Sequence, residues 1–200
     1  MQEKMLAAVV YGKKDVRVEQ VDIPEVADNE ALVKIEYAAI CPSDMRYYNG
    51  SKEVSAPKVL GHEAVGEIIK VGRGVKKLRI GDKVVVNSDY KCGTCYFCKR
   101  SMHNFCIDQR VSDGCFAQYK AVPEDSLYMI PDQGDMLSSS CTEPLACVLN
   151  GSDRADIKMG STVVIIGTGP IGLMHMQAAK IKGASRIIVF EPLELRRNKA

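Results

Sequence analysis

Val163-Val164-Ile165-Ile166-Gly167-Thr168-Gly169-Pro170-Ile171-Gly172 is a fully apolar run that breaks into a glycine-rich turn. Leu173 to Lys182 follows with helix-forming residues, and Arg186 to Phe190 is a second apolar run. Strand, turn, helix and strand in that order predict one βαβ unit. Gly167, Gly169 and Gly172 fit G-x-G-x-x-G, with Pro170 and Ile171 inside the pattern. Glycines at these places allow a tight turn and close approach of a ligand to the backbone, and the N-terminus of the next helix attracts a pyrophosphate. Glu191 closes the second strand 19 residues after Gly172. An acidic side chain there can accept hydrogen bonds from a ribose 2′-hydroxyl. Its charge also repels a 2′-phosphate, so the reading favours NAD over NADP.

Upstream of this unit the texture differs. Ala31 to Tyr37 alternates apolar and polar residues, and further strand-like runs are Leu6 to Tyr11, Val16 to Val21, Ala64 to Val71, Lys83 to Val86 and Phe116 to Val122. Gly12, Gly50, Gly72, Gly74 and Gly81 punctuate them. Short strands at this spacing predict an all-β unit from Met5 to about Ile130. Cys141 to Asn150 carries helix formers and meets Gly151, a residue suited to stop a helix in a left-handed turn. The expected division is therefore a β unit over 1–155 and the first βαβ unit of a Rossmann-type sheet over 156–200. A doubly wound sheet needs more strands and helices than this to cover both faces. The sequence thus reads as the N-terminal portion of a longer protein, and little activity is expected of residues 1–200 alone.

Composition narrows the partners. In 200 residues, 46% are hydrophobic and 26% charged, which excludes disorder as the main state. The net charge of +2 supplies no field that would argue for nucleic acid or an anionic membrane. No apolar run approaches the roughly 18 residues needed to span a bilayer. Met1-Gln2-Glu3-Lys4 does not open a secretory leader, so the expected location is the cytoplasm.

In that compartment the eight cysteines read as metal ligands or buried thiols rather than disulfides. Cys92, Cys95, Cys98 and Cys106 form C-x2-C-x2-C-x7-C. Four thiolates can enclose one tetrahedral zinc and leave no position for substrate, which makes a structural site. His103 falls inside this loop but fits no ligand slot and reads as a surface residue. A second set is more dispersed: Cys41 in Cys41-Pro42-Ser43-Asp44, His62 in Gly61-His62-Glu63-Ala64-Val65-Gly66, and Glu143 in Glu143-Pro144-Leu145. Cysteine, histidine and carboxylate are the ligand types of a catalytic zinc that keeps a position open. Each of them singly is equally a core thiol, a satisfied imidazole or a solvated charge.

Taken together, the motifs resemble the zinc-dependent medium-chain alcohol dehydrogenase family over essentially the whole chain. Gly61-His62-Glu63-x-x-Gly66-x5-Gly72-x2-Val75 is similar to that family's zinc signature, Cys92 to Cys106 to its structural-zinc lobe, and Gly167 to Gly172 to its cofactor turn. The resemblance implies an α/β multidomain protein with a GroES-like β-barrel catalytic domain followed by a Rossmann domain. It implies two zinc ions per chain and NAD as cofactor. Cys41 and His62 would bind the catalytic zinc, Glu143 would take the third place as in sorbitol and related polyol dehydrogenases, and Glu63 would be an exchangeable fourth ligand. Ser43 would pass a proton towards solvent, Asp44 would orient His62, and Arg196 would pack against the adenosine. An oxygen ligand where others have thiolate holds zinc less tightly and eases a change of coordination number, and polyols become the first substrate guess. The implied activity is hydride transfer between a secondary alcohol or polyol and NAD, and full-length relatives are expected to be homodimers or homotetramers.

Three residues depart from the family pattern. Arg46 stands where many members have a relay histidine, Pro42 follows the first zinc cysteine, and Cys115 replaces a common glycine. Tyr47 and Tyr48 either line the pocket or lie on the surface. Two other readings compete: a non-catalytic remnant held by its structural zinc, and a zinc knuckle for nucleic acid built on Lys91, Lys99, Arg100 and Arg110 with Tyr96 and Phe97. Near-neutral overall charge and the absence of a longer basic stripe weigh against the last, so the partner expected is a small molecule, with neither nucleic acid nor membrane.

Overall fold

The computed structural model describes residues 3–55 and 57–200. Met1 and Gln2, part of the stretch read for a leader, and Ala56 lie outside them. The chain divides into two units, Met1–Cys141 and Thr142–Ala200.

The first unit runs through β1 (Lys4–Gly12), β2 (Asp15–Asp22), β3 (Glu30–Ala39), α1 (Pro42–Tyr48), β4 (Lys58–Val59), β5 (Glu63–Val71), β6 (Lys83–Asn87), β7 (Asp89–Tyr90), β8 (Arg110–Val111), β9 (Tyr119–Pro123), β10 (Leu127–Met129) and α2 (Met136–Ser139). Strands β2-β1-β4 form one sheet and β10-β6-β5-β3-β9 a second. All neighbours in both are antiparallel. The expected strand from Phe116 enters the larger sheet only at Tyr119, because its first residues join the two sheets. Ala8 N–H donates to Phe116 O at 2.8 Å, Gln118 N–H to Leu6 O at 3.1 Å, and Ile35 N–H to Gln118 O at 2.9 Å.

Alternation on β3, β5 and β6 puts one row of side chains into a common core. Ala31, Val33, Ala64, Ile68, Val84, Val86, Cys115, Val122 and Leu127 are all buried there. Cys115 is therefore a core thiol. Apolar area removed from water contributes about 25 cal/mol per Å2, so this contiguous row is the main stabilising feature of the unit.

An acidic clasp closes the loop after β5. The N–H groups of Lys76, Lys77 and Leu78 all donate to Glu124 Oε1. Burial raises the Glu124 pKa, but the three N–H bonds outweigh it and hold the carboxyl below its ordinary value. A group whose folded pKa is depressed stabilises above its unfolded pKa and loses that contribution as pH falls through the folded one. Glu124→Gln is expected to cost about 1 kcal/mol at pH 7. Urea unfolding should show the gap between variant and parent closing as pH is lowered through the carboxylate range.

The second unit holds α3 (Thr142–Arg154), β11 (Thr162–Ile166), α4 (Pro170–Ile181), β12 (Arg186–Phe190) and α5 (Glu194–Arg197). β11 and β12 pair in parallel, from Thr162 opposite Arg186 to Ile166 opposite Phe190, with α4 as the crossover. The helix expected to stop at Gly151 continues to Arg154. Gly151 lies inside it and faces the His175 ring of α4, and Ser152 Oγ is 3.1 Å from His175 Nδ1. That packing places α3 with the second unit, whereas the sequence division set it with the first. Among the described residues, no helix is long and apolar enough to cross a membrane.

Candidate metal centre and dinucleotide turn

Among the described residues of the first unit, two clusters could hold a metal ion: Cys92, Cys95, Cys98 and Cys106, and Cys41, His62 and Glu63. Within each, one ligand atom per residue lies within 4.8 Å of all the others.

The four-cysteine lobe has no long strand or helix, only two short 3-10 turns, Cys98–Arg100 and His103–Phe105. Its thiols stand in for one another's hydrogen-bond partners: Cys92 N–H points to Cys106 Sγ at 3.4 Å, Cys95 N–H to Cys92 Sγ at 3.4 Å and Cys98 N–H to Cys95 Sγ at 3.5 Å. Zinc with bonds of about 2.3 Å to four sulfurs needs sulfur pairs about 3.8 Å apart. The Cys92 and Cys98 sulfurs are 3.9 Å apart. The N–H groups of Thr94 and Cys95 pull the Cys92 thiol down to about 6, and burial pushes Cys98 up to about 12. N–H groups aimed at sulfur favour thiolate, the form that binds metal. All eight cysteines are free of disulfides. The lobe's aromatic and basic side chains pair among themselves: Tyr96 packs edge-on to Phe97, and Arg100 lies over the Tyr96 ring at 4.3 Å. His103 is exposed, as its lack of a ligand slot implies.

The second cluster forms where adjacent strands end together, since Ala39 of β3 pairs with Glu63 of β5. Cys41 ends the chain's exit from β3 and caps α1, with Pro42 in the helix's first turn, where a missing N–H costs nothing. Asp44 is buried and closes a capping box, accepting the Cys41 N–H on Oδ2 at 3.0 Å. Its other oxygen lies 3.7 Å from His62 Nδ1. One carboxylate thus spans the backbone of Cys41 and the ring of His62. The Nε2 side of the ring is turned to Glu63, whose Oε1 is 4.0 Å away. With Nδ1 facing carboxylate, Nε2 is the free ligand atom. Gly61 precedes the histidine at φ +91°, and a Cβ there would fall 2.6 Å from the Phe116 ring, so glycine alone fits.

Burial raises the Cys41 pKa, while the Ser43 hydroxyl and N–H favour its thiolate. Ser43 itself is exposed. Tyr47 does not lie loose on the surface: the ammonium groups of Lys52 and Lys58 stand 4.5 and 4.7 Å from its ring centroid. The hydrogen bond from Lys52, followed by that from Lys58, lowers its phenol pKa. Arg46 lies in the last turn of the same helix, its carbonyl accepting Lys52 N–H at 2.9 Å. Asp113 was not anticipated. It reaches the histidine from a turn far along the chain, and only the turn-forming Ser112-Asp113-Gly114 sequence signals that the backbone bends there.

The second unit carries the remaining expected residues. Glu143 stands in the first turn of α3, with Cys147 Sγ 3.9 Å from its Oε1. Gly167 leaves β11 at φ +92°, Gly169 caps α4 and Pro170 begins it, with Ile171 and Gly172 in its first turn. Glu191 is buried behind this turn. Its Oε2 accepts Thr168 N–H at 2.9 Å and Thr168 Oγ1–H at 3.2 Å, and its Oε1 accepts Leu193 N–H at 2.9 Å. These N–H groups hold its carboxyl below the ordinary value. Arg196 is exposed on α5, and the unanticipated Arg197 donates Nη1–H to the carbonyls of Glu191 at 2.7 Å and Pro192 at 2.6 Å.

A β unit with two ligand clusters, followed by a βαβ unit with a glycine turn, defines the class. The chain belongs to the alcohol dehydrogenase GroES-like domain family, whose pattern matches residues 27–132. It is a GroES-like unit followed by the start of a doubly wound α/β sheet. It is 37% identical over 199 residues to sorbitol dehydrogenase of Bombyx mori, covering 95% of this chain and 57% of that protein. A structure from Sinorhizobium meliloti 1021 bound to NADP matches with TM-score 0.91 and 34% identity, over 99% of this chain and 59% of the other. Alcohol dehydrogenase TADH from Thermus sp. ATN1 matches with TM-score 0.90 and 31% identity, over 98% and 60%. The chain therefore spans somewhat under two thirds of the length of these relatives.

Proposed function

We propose that the chain supplies the metal-binding unit and cofactor turn of a zinc-dependent oxidoreductase that moves a hydride between a secondary alcohol or polyol and NAD. The observation that carries this reading is the cluster of Cys41, His62 and Glu63, with ligand atoms of three different types within 4.8 Å. Thiolate, imidazole and carboxylate in one place suit zinc with a position left open. Similarity to a sorbitol dehydrogenase supports a polyol as substrate.

Zinc, when bound, supplies Lewis acidity toward a secondary hydroxyl, and nicotinamide supplies the hydride acceptor. The chain's own residues supply the rest. Asp44 fixes the ring of His62 and the backbone of Cys41 together, so that neither ligand has to be ordered when the metal arrives. Ser43, next to the Cys41 sulfur and exposed, takes the hydroxyl proton and releases it to water. The hydride leaves the carbinol carbon as that proton departs, so a ketone, NADH and a proton are the products. With arginine at position 46, the relay carries no imidazole there. Glu143 enters this proposal on its Glu143-Pro144-Leu145 pattern alone.

NAD is preferred because Glu191 keeps a buried negative charge behind the glycine turn, where a 2′-phosphate would meet it. Oε1 has accepted one N–H and retains a lone pair for a ribose hydroxyl.

Elemental analysis of protein purified without added metal tests the reading. Two zinc ions per chain are expected, falling to one in Cys41→Ala. One zinc that is indifferent to the substitution would leave only the cysteine lobe and sink the proposal.

A further inference from the structure

We propose that Asp113 is a second positioning carboxylate for His62, fixed at the metal centre by Lys58 from its side chain and by Lys120 through its backbone. The inference rests on the reading of Cys41, His62 and Glu63 as a metal centre.

The segment carrying Asp113 is tied directly to the backbone around the histidine. Gly114 N–H and Cys115 N–H both donate to Gly61 O at 3.1 Å, and Phe116 N–H donates to Leu60 O at 2.9 Å. On the other side Ser112 N–H donates to Ser88 O at 2.8 Å. These bonds bring Asp113 Oδ1 to 4.0 Å from His62 Nδ1, beside the Asp44 oxygen at 3.7 Å.

Lys120 explains why the turn keeps this shape. It lies on β9 with only 5% of its surface exposed. Its Nζ donates to Asp113 O at 2.6 Å, Ser112 O at 2.7 Å and Ser112 Oγ at 3.3 Å. A buried ammonium is costly unless its three protons are all used. Here every one is directed at the two residues that set Asp113 in place. A lysine in a strand whose apolar neighbours face the core has no need of that position unless the carbonyls it holds matter.

Lys58 completes the arrangement from in front. Its Nζ is 2.7 Å from Asp113 Oδ2 and 3.4 Å from the Tyr47 hydroxyl of α1. Two carboxylates around one imidazole would bring two negative charges to the ring, and the Lys58 ammonium cancels one. The ring is then flanked on the Nδ1 side by Asp44 and Asp113, which leaves Nε2 turned to Glu63. Outer partners of this kind orient a ligand and raise its basicity, and losing one costs about 10- to 100-fold in metal affinity.

The probe is cobalt(II) alone, titrated into the metal-free full chain and followed by its visible absorption, which separates a four-sulfur site from a mixed-ligand one. The parent is expected to take two ions. Asp113→Asn is expected to weaken the mixed-ligand site about tenfold, while the four-sulfur site and the unfolding midpoint of the metal-free chain stay unchanged. Asp113→Glu, which keeps the charge, should recover most of the loss. Unaltered affinity in Asp113→Asn overturns the role of Asp113 and leaves the metal centre standing. A parent that takes only one ion, with four-sulfur absorption, overturns the centre and this inference together. Equal loss at both sites, or a lowered unfolding midpoint, would make Asp113 a general structural residue and also refute the proposal.

Discussion

Cys98→Ser is expected to empty the four-cysteine lobe and loosen residues 92–106 while the β sheets stay folded. The lobe has two short 3-10 turns, a two-stranded β7–β8 ladder at its base and a few stacked rings. It lacks the area to bury that holds the rest of the unit. Structural zinc contributes on the order of 10 kcal/mol or more in small domains that cannot fold without it. Cys98 and Cys106 are the buried thiols of the lobe, and burial pushes Cys98 up to about 12, so a bound metal would be what draws it into the thiolate form. Serine at this place offers a poor ligand and leaves a hydroxyl among sulfurs. Hydrogen exchange should show protection lost from 92–106 and retained on β3, β5 and β6, with zinc falling by one equivalent. Full protection of the lobe in the variant would mean that its rings and turns suffice.

Gly172→Ala is expected to disable the dinucleotide turn. A Cβ at 172 would lie 2.0 Å from the carbonyl oxygen of Gly167, far inside contact distance, and that atom is backbone. The turn must open, shifting Gly167 and Thr168 and with them the N–H and hydroxyl that hold Glu191. Overpacking of this kind costs about 1–3 kcal/mol. The effect on NADH binding should be larger than on folding, because the displaced backbone is the surface that meets pyrophosphate. Fluorescence titration of NADH with a full-length version is expected to show affinity reduced at least tenfold. Unchanged affinity would place the nucleotide elsewhere.

The strands were legible where alternation is strong. Ala31 to Tyr37 lies within β3, Ala64 to Val71 lies within β5, and the apolar runs on either side of Gly167 became β11 and β12. Short spacing made the cysteine lobe readable. What pattern does not encode is which polar residue turns inward. Lys120 reads as the polar step in an alternating strand, yet the carbonyls of Ser112 and Asp113 converge on it and bury it. Asp113 meets His62 only because the backbone bonds to Leu60 and Gly61 align two distant segments. Gly151 looked like a helix stop because its local propensity is poor. Packing of the His175 ring against that bare backbone outweighs the propensity cost of about 1 kcal/mol. Glu191 was read for its charge, and its buried hydrogen bonds to the turn lie beyond any spacing rule.

The pairing of Ala39 with Glu63 gives the two ligand clusters different thermodynamic standing. The loop between Cys41 and His62 is already closed by the β3–β5 ladder before any ion arrives, so coordination there costs little chain entropy. In the cysteine lobe the β7–β8 ladder closes only the base, and an ion joining Cys92, Cys95, Cys98 and Cys106 would have to offset most of the entropy lost in ordering the residues between them. One ion would be a part of folding, and the other a guest in a finished frame that can leave and return without unravelling it.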